Sequence, residues 1–91
     1  MLTADEVDQL PLDTMGKLAM YRAGHDGWKV KAKDTYGRIW DVTKIARRYE
    51  AGKPLPEGFV KAGLTDLYGE SPAGRRKHFT FEDSLLHTAK F

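Results

Sequence analysis

WKVKAKDTYGRIWDVTKIARRYEAG, residues 28–52, carries strand alternation, turn chemistry and helix periodicity in succession. Trp28, Val30 and Ala32 alternate with Lys29, Lys31 and Lys33, which on a strand puts apolar side chains on one face and lysines on the other. Asp34-Thr35-Tyr36-Gly37 has the form of a type I turn, with glycine at the left-handed position that makes a bulge. The turn pairs Asp34 with Arg38. Counting back, Ala32 faces Trp40, Val30 faces Val42 and Lys31 faces Asp41, so the apolar residues share a face and opposite charges meet on the other. Without the bulge, Lys31 would stand beside Trp40 and Asp41 beside Val30. The bulged hairpin, 28–34 with 38–42, is therefore expected.

Beyond the hairpin, Thr43 is positioned to cap a helix to Ala51, with Val42, Ile45, Ala46 and Tyr49 on one side. Gly52 and Pro54 stop it. Phe59, Val60, Gly63, Leu64, Leu67 and Tyr68 recur at helical spacing and predict a further helix ending at Gly69. Ser71-Pro72-Ala73-Gly74 is a turn by composition, and residues 75–79 can extend as a third strand. Thr80-Phe81-Glu82-Asp83 resembles the start of a last helix burying Phe81, Leu85 and Ala89.

Towards the N-terminus, Thr3-Ala4-Asp5-Glu6 forms a capping box, with Leu2 and Val7 placed as a hydrophobic staple. Pro11 ends that short helix. A second runs from about Leu12 to Ala23, with Leu12, Met15, Leu18, Ala19 and Arg22 in a stripe. The sum is an α+β fold: a small antiparallel sheet packed with four or five short helices in a single domain, residues 1–91.

Ninety-one residues allow one modest core and a radius of gyration of about 12 Å, which favours a surface groove or flat face over an enclosed cavity. The net charge of +2 is too balanced to announce a nucleic-acid binder. Its distribution is more informative. Residues 1–15 carry four acids and no base, whereas 16–48 carry nine bases and three acids. With no cysteine, thiolate zinc sites and disulfides are excluded. The N-terminus lacks the apolar run of a secretory signal and no stretch is long enough to span a bilayer, so a cytoplasmic protein is expected.

The main candidate site is a basic surface: Lys29, Lys31 and Lys33 on the outer hairpin face, with Arg38, Lys44, Arg47, Arg48 and the run Arg75, Arg76 and Lys77. A solvated strand face that discourages edge aggregation accounts for the lysines alone. Three adjacent cations beside a glycine turn do little for folding, yet would supply phosphate contacts. Tyr36 at the hairpin tip and Ile39 on the lysine face are candidate anchors, as is Phe91.

Other chemistries fit less well. A helix-turn-helix over 43–68 has Glu50 where the turn glycine belongs. His25, His78 and His87 lack the spacing of metal ligands, and Ser84 with His87 lacks a third orienting group. No catalytic residue, metal or cofactor is indicated. The expectation is a non-catalytic protein docking through its basic face on nucleic acid or a nucleic-acid-handling complex. The alternative is a small inhibitor or adaptor, of the kind found among bacterial or phage accessory proteins, that covers an acidic site on a protein partner.

Overall fold

The computed structural model describes residues 2–23 and 25–79. The helix expected after Thr80, with Phe91, lies outside them. Helix α1 (Ala4–Asp8) opens with the capping box, Thr3 Oγ1 accepting from the Glu6 amide and Glu6 accepting from that of Thr3. Leu2 and Val7 are both buried, as a staple requires. Helix α2 (Thr14–Arg22) starts later than Leu12 because Asp13 takes the cap, its Oδ1 2.8 Å from the Gly16 amide. It buries Met15, Leu18, Ala19 and Met20. Arg22, expected in the stripe, is half-buried with its guanidinium over the Phe79 ring.

Strands β1 (Lys29–Asp34) and β2 (Ile39–Asp41) form the expected hairpin, with Lys31 opposite Asp41 and Ala32 opposite Trp40. The Gly37 amide donates to the Asp34 carbonyl, and Gly37 has φ 81°, the left-handed value that glycine tolerates. The Val30–Val42 pair does not form, since Val42 already begins helix α3 (Val42–Glu50). The cap of α3 lies two residues earlier than the expected Thr43. Asp41 accepts from the Lys44 amide, and Thr43 instead turns inward, where its hydroxyl accepts from the Val30 amide at 2.8 Å.

The largest departure concerns residues 59–69. They are not one helix: a short α4 (Glu57–Lys61) gives way to strand β3 (Leu64–Glu70), which also removes the second helix of any helix-turn-helix. β3 pairs with β1, and strand β4 (Arg76–Phe79) pairs with β3, so the sheet order is β2-β1-β3-β4, antiparallel throughout. Its second turn copies the first. The Gly74 amide donates to the Ser71 carbonyl, Gly74 has φ 81°, and the Ser71 hydroxyl accepts from the Arg75 amide as Asp34 does from Arg38.

Helices α2 and α3 pack on one face of this sheet, against Val30, Ala32, Leu67 and Phe79. Phe59 of α4 closes the core edge-on against Trp40, and the Cα radius of gyration is 11.9 Å. Trp28 and Trp40 are half-buried against the same core. Asp34 sits on this inner side almost without exposure (1%). Its oxygens accept from the Tyr36 amide (2.8 Å), the Arg38 amide (2.9 Å) and the Trp40 indole N–H (3.0 Å), with Arg38 Nε at 3.3 Å. Burial pushes the carboxyl pKa up, but the Trp40 hydrogen bond, the two amides and the Arg38 charge outweigh it and hold the group below the ordinary aspartate range.

Candidate binding face

Because α2 and α3 occupy one side, strand alternation sends the remaining side chains to the other, which among the described residues is uncovered. The register arranges them in rows across the strands. Lys29, Glu70 and Arg76 form the first, Asp41, Lys31, Tyr68 and His78 the second, and Ile39, Lys33 and Asp66 the third. Arg76, far from the lysines in the chain, thus stands in the same row as Lys29, two strands away with Glu70 between them. A depression of about 510 Å³ runs over these rows, its lining including the cations Lys29, Lys31, Lys33 and Arg76, the acid Glu70, and Ile39 and Tyr68.

Lys44 in the first turn of α3 and Arg47 in its last extend this face sideways. With Lys29, Lys31 and Asp41 they line a second depression of about 310 Å³. The remaining expected residues are elsewhere. Arg38 is occupied at the hairpin tip, paired with Asp34 and lying over the Tyr36 and Trp40 rings, on the inner side of the ribbon. Tyr36 is 77% exposed at that tip, away from the rows. Lys77 points to the helix side, its ammonium 5.2 Å from the Phe79 ring centre. Arg75 stands in the turn before β4, and Arg48 is exposed in the last turn of α3. Neither lines the depressions.

Three acids interleave with the cations: Asp41, Asp66 and Glu70. Among the described residues none of them forms an ion pair with Lys29, Lys31 or Lys33. The lysine ammoniums are therefore available. Along β1 they lie about 6.8 Å apart and repel by only about 0.6 kcal/mol in water, so their clustering costs little. Asp66 instead meets His78, with Nε2 3.3 Å from Oδ1, and His78 stacks on Tyr68 with ring centres 4.8 Å apart and planes at 21°. Ile39 and Tyr68 are 63% and 51% exposed.

Asp66, Tyr68 and Glu70 are missing from the sequence-based site because β3 reads as helix, and His78, considered there only for metal or acid-base chemistry, had no Tyr68 to stand beside. The alternation of Asp66, Tyr68 and Glu70 with Leu67 and Gly69 is the signal that would have found three of them. Among the described residues no group of three or more ligating side chains is placed to hold a metal ion, and no helix is long and apolar enough to cross a membrane. Comparison of the chain with protein-family models, curated proteins and solved structures returns no match.

Proposed function

We propose that this is a non-catalytic cytoplasmic binding protein that docks through its uncovered sheet face on nucleic acid, either free or carried by a nucleic-acid-handling complex. One observation carries the reading: Arg76 lines the same depression as Lys29, Lys31 and Lys33. Cations held on a flat face that carry no ion pair among the described residues are suited to phosphates. Lys44 and Arg47 lengthen the track.

The interleaved acids and the exposed Ile39 favour a second reading, a small inhibitor or adaptor whose mixed-charge face covers a site on a protein partner. Salt dependence separates the two. Binding of labelled oligonucleotides, followed by fluorescence anisotropy between about 50 and about 200 mM salt, should give a log–log slope near about −3.6 on a duplex, or about −2.8 on a single strand, if four phosphates are neutralised. No binding at about 50 mM salt would favour the protein partner.

A further inference from the structure

We infer that the ligand of this face is a single-stranded polynucleotide, one of whose bases stacks on Tyr68; this rests on the nucleic-acid reading above and narrows it. Tyr68 and His78 are directly opposed on neighbouring strands, and their ring centres are 4.8 Å apart with planes nearly parallel. That spacing matches the distance between strands, so the rings stand upright, face to face. His78 covers one face of Tyr68. The other is turned towards β1 and the depression, which Tyr68 lines and His78 does not. A flat ring entering there becomes the third layer of an existing stack, with Ile39 across the depression and the lysine stems along its floor.

The acids decide between strand types. A duplex meets a flat surface with its backbones and would set phosphates against Asp41, Asp66 and Glu70 as well as against the lysines. Its base faces are hidden in the stack. A single strand can turn a base into the depression, where the Glu70 carboxylate accepts from an exocyclic amino group, and leave its phosphates to the cationic heads of Lys29, Lys31, Lys33 and Arg76.

The test titrates the 91-residue chain into labelled oligonucleotides of about 12 nucleotides, single-stranded and duplex, within the span of one stacking platform. The single strand should bind at least about tenfold tighter. Tyr68→Ala should weaken it by about tenfold or more with its salt slope unchanged, because stacking releases no counterions. Tyr68→Phe should stay within about threefold of the parent, whereas Tyr68→Leu, which keeps an apolar side chain without a stacking ring, should lose affinity as alanine does. Thermal melts of each variant confirm that the fold persists. Equal binding of duplex and single strand, or a Tyr68→Leu variant that binds as the parent does, would overturn the inference and leave the nucleic-acid reading standing. Failure to bind either form would overturn both.

Discussion

Asp34 combines two properties that rarely coexist, near-complete burial and a charge kept by its surroundings, because Oδ1 accepts from the Tyr36 and Arg38 amides at the turn and Oδ2 from the Trp40 indole on β2. Its lowered pKa sets the sign of a pH effect. The charged form's contribution is complete above the unfolded-chain value of about 3.9 and is lost as pH falls through the lower native value. Asp34→Asn should therefore be less stable at neutral pH and lose less stability below about pH 4 than the parent, as urea midpoints across a pH series would show. Gly69 makes a different demand. A Cβ there would lie 2.7 Å from Phe79 Cε2 and 2.9 Å from Trp28 Cε3, two rings that close over the bare backbone. Gly69→Ala should cost about 1–3 kcal/mol in chemical denaturation. The turn role of Asp34 follows from residues 34–37 alone, but its contact with Trp40 also needs the hairpin register. The close approach at Gly69 could not be read locally, since Trp28 and Phe79 reach it from two other parts of the chain.

Among the elements, β1, β2 and the turn between them were legible because alternation, turn chemistry and charge pairing agree over one short stretch. β3 was not, and its register gives the reason. Lys33 pairs with Asp66 but Asp34 pairs with Leu64, so Thr65 is an extra residue, and its hydroxyl donates to the Lys33 carbonyl. This bulge sets Leu64 and Leu67 three apart, which imitates a helical stripe. Gly69, the next inward position, offers no side chain to correct the impression. At the junction of β1 with α3, the Val30 amide lies beyond the end of the β2 ladder, and the Thr43 hydroxyl takes the place of the missing strand. Thr43→Val keeps the shape and removes that acceptor. It should destabilise the protein by about 1–3 kcal/mol in denaturant titrations, whereas a merely capping threonine on a helix already capped by Asp41 would lose much less.

For the molecule as a whole, stability and binding are predicted to separate. The core lies entirely on the helix side of the sheet, and the cations of the opposite face carry no ion pair among the described residues. Lys31→Ala and Arg76→Ala should each leave unfolding free energy within about 0.5 kcal/mol of the parent. Each should also reduce the single-strand salt slope by about 0.7 in anisotropy titrations, if its cation meets a phosphate. The charge distribution along the chain hinted at such a face, but Arg76 enters the row of Lys29 only through the β1–β3 pairing, and no local pattern encodes a pairing between distant segments. That pairing is also a seam between two ribbons of like construction, each closed by its own tight turn, with the exposed segment Ala51–Pro54 in the only path linking them among the described residues. Opened between Gly52 and Lys53, the chain would yield two fragments that complement each other, because the edge each would expose is the one the other fits.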